Sequence, residues 1–400
     1  MLLTILIFLA ILGLLVFVHE LGHFAVARRF GVKAEEFGFG FPPRLIGAQK
    51  LSAGQPPAAS HWKIIRGRGE PVYTPAEAAM AKDTIYSLNW VPLGGFVKIK
   101  GENGDSQDQD SFTAKSAWRR GAILAAGVSM NLALAAVLFV IGYSIGMPQN
   151  LDNIGPGAKI ADARIHVAGV WPDSPAAAAG VKPNDIIVAV NGQSMLKSEV
   201  LQALTADHLG QALEYEFKRG EKTFKKTIVP EKSEKTKDTP GIGIAIAEIG
   251  TVSYPIYLAL GEGLRQTVLL LGAIISAFYD LLKNIFLGHG VTAEVAGPIG
   301  IAVLTGQVAK LGWIYILQFT ALLSINLAII NILPFPALDG GRLLFLGIEK
   351  IKGRPVRREL EALIHNIGFI LLMVLILFVT FKDVARYGQA FRAVWDRIAS

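Results

Sequence analysis

The chain has 400 residues, 52% of them hydrophobic and only 18% charged, with a mean hydropathy of +0.43, which excludes an ordinary soluble enzyme and points to several membrane spans plus a soluble portion. It has no cysteine, so a thiolate metal site, a disulfide framework and a Cys nucleophile are all excluded, and any metal must be held by His, Asp or Glu. The net charge of +7 reads as loop charge that orients spans; no aromatic-basic interleaving suggests a nucleic-acid surface, and no nucleic-acid partner is expected.

The first segment, 1–29, is an apolar run ending in His19-Glu20-Leu21-Gly22-His23. No positive region precedes the run and no small-residue cleavage site follows it, so it reads as a retained span. Residues 30–116 form a cytoplasmic segment with strand or hairpin edges at 36–41, 84–88 and 95–100. Its middle, about 48–82, is rich in Ala, Pro, Gly and Gln and reads as a variable loop or loosely helical insertion. A second span occupies 117–147, uncharged from 121 onward. Short alternating runs separated by turns, such as 186–190 ending at Asn191-Gly192, make 160–232 a small extracytoplasmic α+β domain, closed by a Lys-rich, acidic linker at 231–239.

Within 250–300 the apolar run 267–279 is only 13 residues long, bracketed by Glu262, Arg265, Asp280 and Lys283. A crossing needs about 20 residues, so this segment is expected to be an amphipathic, membrane-associated helix that does not span. A third span falls in 311–341 and a fourth in 361–382, leaving 383–400 as a C-terminal tail. Arg28, Arg29 and Lys33 after the first span, and the Arg and Lys residues between the third and fourth, place both loops in the cytoplasm. The N-terminus and the 160–232 domain are then extracytoplasmic. The expected fold class is a multi-span α-helical membrane protein with four transmembrane helices, a cytoplasmic β-hairpin or strand segment and an extracytoplasmic α+β domain.

His19-Glu20-x-x-His23 carries the chemistry. On a helix, positions i and i+4 share a face, so two imidazoles can converge on one zinc ion while Glu20 takes a proton from water. The bland reading, a polar stripe on a surface helix, fails because these groups interrupt an apolar span, where burial costs several kcal/mol unless they are paired or functional. Such a site needs a third protein ligand. Asp339 follows the third span, which runs in the same direction as the first, so both ends meet at one membrane depth. Asp-Gly is also a common turn dipeptide, and the ligand reading of Asp339 leans on the histidine motif. Pro334 and Pro336 break the helix and let backbone bend towards the metal. The strand around Gly94, Gly95, Phe96 and Val97 could offer an edge to an extended substrate. Asn131 and Asn326, inside spans, read as packing residues, and His61, His166, His208, His289 and His365 are assigned no role.

Taken in order, Phe39-Gly40-Phe41-Pro42, Pro92-Leu-Gly-Gly-Phe-Val-Lys98, Ala126-Gly127 with Asn131, Gly297-Pro-Ile-Gly300 and Asn331-x-x-Pro-x-Pro-x-Leu-Asp-Gly-Gly resemble the site-2 protease family of intramembrane zinc metalloproteases, in its bacterial RseP-like, single-PDZ form. The resemblance covers nearly the whole chain. Val128 and Asn184 depart from the residues usual in that family, Pro and Gly. Residues 173–192 are similar to the family's PDZ pattern, which makes the extracytoplasmic domain PDZ-like, a filter on substrate size. The family implies one zinc per chain, a role for Asn331 in holding the substrate backbone, and a place in the bacterial inner membrane. It also implies cleavage of single-span membrane proteins, either anti-sigma factors or signal-peptide remnants. A catalytically silent membrane scaffold with a PDZ-like binding module, and a zinc hydrolase acting on lipid, are the alternatives.

Overall fold

The computed structural model describes residues 2–399 apart from 53–59, 68, 70, 103, 105, 233–239, 289–295 and 355, so His289 and most of the 231–239 linker lie outside the described residues. The chain divides into two compact units, one made of Met1–Phe139 with Leu264–Ser400, the other of Val140–Gly263.

The first unit is built on α1 (Leu2–Arg29), whose apolar length ends in Arg28 and Arg29, cations that suit both a helix C-terminus and a membrane interface. A sheet of β1 (Ala34–Leu51), β2 (His61–Arg66) and β3 (Ile85–Ile99) follows in the order β2-β1-β3. The stretch read as a variable loop holds the end of β1, β2 and a short capped helix, α2 (Pro75–Met80). Both long strands bend, so β1 meets β3 twice: Gly38 lies opposite Phe96 and also opposite Ser87. The outer stretch of β3, 95–99, therefore pairs with β1 on one side and with no strand on the other among the described residues. Phe17 of α1 packs its ring against Phe37 at 5.3 Å and Phe39 at 5.8 Å, which seats the sheet alongside the apolar helix.

The unit also holds most of α3 (Ala117–Ile145) together with α7 (Pro298–Leu311), α8 (Trp313–Ile332), α9 (Asp339–Lys352) and α10 (Arg358–Ala399), which continues through the stretch read as a tail. Asp383 of α10 is buried and accepts from the backbone N–H of Gly300 at 2.7 Å, satisfying one of the free donors in the first turn of α7. Ion pairs tie the connecting segments together. Arg120 of α3 meets Glu349 of α9, and Arg342 of α9 meets Glu102 after β3.

Helix α6 (Ile256–Phe286) differs from expectation in length. The ionisable residues that bracket its apolar run lie inside one 31-residue helix and do not end it, because charged side chains one turn apart leave the backbone ladder intact. By length and composition, five helices among the described residues are able to cross a membrane: α1, α3, α6, α8 and the 358–386 part of α10.

In the second unit, a seven-stranded antiparallel sheet collects segments from both sides of the 160–232 stretch. Its order is β4 (Met147–Asn150), β10 (Ile244–Ser253), β5 (Lys159–Val170), β6 (Ile186–Val190), β8 (Leu213–Arg219) and β9 (Lys222–Ile228), with β7 (Gln193–Ser194) on β6. Helices α4 (Pro175–Ala178) and α5 (Ser198–Asp207) complete it. Ile165, Ile187, Leu213, Tyr215 and Phe217 form its core. Asn184, at the family's glycine position, has φ of 72°, a left-handed conformation that Asn tolerates better than most residues. Next to it, Asp185 is fully buried and meets Arg219 through Nε at 2.6 Å and Nη2 at 2.7 Å.

Candidate metal centre

His19 and His23 lie one turn apart on α1 and both are buried. The turn between α8 and α9 returns Asp339 to them. Pro334 cannot continue α8, and Gly340 permits the tight re-entry into α9, since a Cβ there would lie 2.2 Å from the Ile332 and Leu333 carbonyl oxygens. The three donor atoms form a small triangle. His19 Nε2 is 3.0 Å from Asp339 Oδ2, His23 Nε2 is 3.3 Å from the same oxygen, and the two nitrogens are 3.1 Å apart. Two ligands of a tetrahedral zinc, each about 2.0–2.1 Å from the metal, are roughly 3.3 Å apart. The triangle therefore fits one face of a zinc tetrahedron, and the donor set of two imidazoles and a carboxylate is one that zinc accepts.

Helix α3 fixes both rings from behind. His23 Nδ1 lies 2.8 Å from the Ile123 carbonyl oxygen. A carbonyl only accepts, so Nδ1 carries the proton and Nε2 keeps its lone pair for a metal. His19 Nδ1 lies 3.3 Å from the side-chain amide of Asn131, whose Oδ1 is buried without a partner among the described residues. A half-turn of that amide brings Oδ1 to the ring, where it accepts from Nδ1 and frees the lone pair of His19 Nε2. One rotation thus satisfies an orphaned oxygen and prepares a ligand. Between these contacts sits Gly127, where a Cβ would lie 2.4 Å from His23 Nε2 and 2.6 Å from His19 Nε2. Only a hydrogen fits.

The remaining residues singled out in the sequence fall around this centre. Glu20 follows His19 on α1 and lies within interaction distance of the Val97 backbone of β3. Asn331 Nδ2 is 3.5 Å from His19 Nε2. Gly94 and Gly95 are buried against Val16 and Phe17 of α1, and Phe96 and Val97 are half-buried on the outer stretch of β3.

Two contributions escaped the sequence. Asn131 was read as packing, although its position inside an uncharged span already marked it as a group needing a partner. His365, assigned no role, accepts from the Ala337 N–H through Nδ1 at 2.9 Å. Ala337 has φ of 78°, so the ring steadies a strained residue just before Asp339.

Comparison with known proteins shows the family. The pattern of peptidase family M50 matches residues 7–54 and 76–375. The "Regulator of sigma-W protease RasP" of Bacillus subtilis is 32% identical over 96% of this chain and 98% of its own length. The "Zinc metalloprotease RasP" of Geobacillus kaustophilus is 28% identical over the same shares. A solved PDZ domain of an SdrC-like protein from Listeria monocytogenes is 26% identical, covering 22% of this chain and 92% of its own, with a TM-score of 0.20. Since the family pattern runs through both the histidine helix and the loop that brings Asp339 back to it, this chain belongs to peptidase family M50, the site-2 proteases, and is a membrane zinc metalloprotease.

Proposed function

We propose that His19, His23 and Asp339 hold one zinc ion and that Glu20 is the general base and acid of peptide hydrolysis within the membrane. The observation that carries this reading is the triangle of donor atoms, 3.0–3.3 Å on a side, inside a helix otherwise built for lipid. When bound, zinc supplies a Lewis acid that acidifies water and polarises a carbonyl. Glu20 accepts the proton of the attacking water and passes it to the leaving nitrogen. Asn331 holds the substrate backbone beside the site. The outer stretch of β3 takes an unwound substrate as an added strand, with Val97 delivering the scissile bond to Glu20; the unpaired edge and the Glu20–Val97 proximity support this.

The topology we propose has four crossings. His19 near the end of α1 meets Asp339 just after α8, which requires those helix ends at one depth and hence an even number of crossings between them. With α3 as the return, α6 lies along the membrane surface, and the cationic loops place the metal end on the cytoplasmic side of the bacterial inner membrane. The second unit is extracytoplasmic and PDZ-like, a filter on substrate size. A relative named as a regulator of sigma-W protease favours single-span, membrane-anchored anti-sigma factors as substrates over signal-peptide remnants.

Glu20→Gln separates the roles. Cleavage of a single-span substrate in proteoliposomes is lost while zinc remains at one per chain; retained cleavage would overturn the assignment. Pro at Val97 is expected to lower turnover with zinc unchanged, and undiminished turnover would remove β3 from substrate binding.

A further inference from the structure

Beyond the metal centre, the first unit carries an open cavity of about 470 Å³ where α1 ends and the sheet begins. Arg28, Lys33, Lys50 and Lys82 line it. Among the described residues, none of these four cations lies within ion-pairing distance of a carboxylate. Arg28 donates instead to the Tyr86 hydroxyl at 3.1 Å. Of the two carboxylates in the lining, Asp110 is held by Lys100 at 2.7 Å and Asp83 accepts from the Ser52 hydroxyl at 2.6 Å. The four cations outnumber the two carboxylates, so the cavity is a concave surface of net positive charge.

Its outer wall is apolar. Trp62 and Tyr86 line the cavity and also belong to an exposed face of the sheet. The pairing register sets Lys50 opposite Trp62, Ala48 opposite both Ile64 and Tyr86, and Ile46 opposite Leu88, and Trp90 follows Leu88 two residues on. Alternation along each strand puts these side chains on one face. Trp62 and Trp90 are more than half exposed, and Ile64, Leu88 and Ile46 are exposed as well. Next to the cavity's lysines and arginine come Trp62 and Tyr86, then Ile64, Leu88 and Ile46, the order in which a bilayer leaflet passes from phosphate through the interface to acyl chains; the exposed Arg66, opposite Ile46, puts a charge at the far end of the face.

We infer that this cavity binds the phosphate of an anionic membrane phospholipid, with the acyl chains lying along the Ile46–Leu88–Ile64 face. A phosphate oxygen suits the forked guanidinium of Arg28 and the ammonium groups of the three lysines. A soluble phosphate offers the cations the same chemistry but has nothing to place against Trp62 and the apolar face, which favours the lipid as source. Arg28 lies five residues after His23, so a bound headgroup would also anchor the end of the histidine helix to the sheet that lines the cavity with it.

The test uses the full-length protein in non-ionic detergent, titrated with dansyl-phosphatidylglycerol and read by energy transfer from tryptophan, with Trp62→Phe marking the local donor. Competitors are unlabelled phosphatidylglycerol, phosphatidylcholine and inorganic phosphate. The triple variant Lys33→Gln, Lys50→Gln, Lys82→Gln is expected to weaken binding on the order of a hundredfold, since each cation near an anionic headgroup contributes roughly equally. Its zinc content, unchanged at one per chain, shows that it is folded. Trp62→Phe is expected to lower the transfer signal at saturation, marking Trp62 as a donor beside the bound lipid; an undiminished signal at saturation overturns that placement. Equal binding by the triple variant, or equal competition by phosphatidylcholine, overturns the site. Inorganic phosphate competing as well as phosphatidylglycerol would show a soluble phosphate site and overturn the lipid assignment.

Discussion

The side-chain amide of Asn131 lies 3.3 Å from Nδ1 of His19, on the side of the ring opposite Asp339. It is fully buried, and Ser324 of α8 donates to its own carbonyl oxygen at 2.7 Å. One residue of α3 thus touches the histidine helix through its side chain and α8 through its backbone. Removing the amide as Asn131→Ala leaves Nδ1 of His19 without a fixed partner, and either ring nitrogen can then carry the proton. Loss of such an outer partner lowers metal affinity by about 10–100-fold. Chelator competition should find that weakening with the helices intact by circular dichroism. Asn131→Asp, which keeps an acceptor, should recover most of it.

Gly127 makes a stricter demand. Alanine favours the helix by roughly 1 kcal/mol over glycine, so Gly127→Ala should not weaken α3 as a helix. Its methyl group, however, would occupy space 2.4–2.6 Å from the two Nε2 atoms. The rings cannot both move away, because Ile123 and Asn131 hold their other nitrogens. A folded chain with little or no zinc is expected by metal analysis. Zinc at one per chain would show that the rings have freedom the geometry denies them.

These two residues also mark what the sequence could and could not disclose. The meeting of His19, His23 and Asp339 was legible because polar groups inside an apolar run need a reason, and Asp339 was reached by leaning on that motif and on an expected four-span topology. The strand edges at 36–41, 84–88 and 95–100 match β1 and β3 except at residues 84 and 100, which lie just outside β3, because alternation survives in a single sequence. Gly127 stands in the sequence only as part of the Ala126-Gly127 resemblance, since nothing local says that its missing side chain makes room for residues a hundred positions earlier. The length of α6 was hidden for the opposite reason: its charges looked like boundaries, yet a helix carries them on one side without breaking. His365 was illegible because its partner is a backbone N–H in a loop whose shape depends on Ala337 being left-handed.

In the second unit, Asp185 gives a pH prediction. Burial alone would raise its pKa, but the Arg219 guanidinium and the Lys182 backbone N–H outweigh that and hold it below the usual carboxylate value near 3.8. A depressed folded pKa contributes stability that is present above the unfolded value and lost as pH falls through the folded one. Asp185→Asn should therefore lower protection of β6 and β8 at neutral pH, by about 1–3 kcal/mol for a charged hydrogen bond. The gap between variant and parent should close below about pH 3.8, towards the folded value. Hydrogen exchange on the full-length protein at pH 7 and at progressively lower pH reads both limbs. A gap independent of pH would mean that charge on Asp185 does not matter.

His365 carries the last prediction. Its Nδ1 is the acceptor for the Ala337 N–H, and its ring lies against Phe345 at 5.4 Å, so α9 and α10 together position it. Alanine at 365 removes the acceptor from a residue already held at φ of 78°. An orphaned N–H costs about 1–3 kcal/mol, and the loop can recover part of that by leaving the left-handed conformation. Asp339, two residues on, would then lose its fixed place relative to His19 and His23. Zinc affinity should fall by about tenfold or more, the equivalent of roughly 1.4 kcal/mol. His365→Gln, whose carbonyl can accept the same N–H, should restore much of it, whereas a purely packing role for the ring would predict better rescue by His365→Leu. Zinc binding to the three variants, measured by chelator competition in one detergent at one pH, distinguishes the two roles. Equal affinity in His365→Ala and the parent would show that the Asp339 loop keeps its shape without the ring.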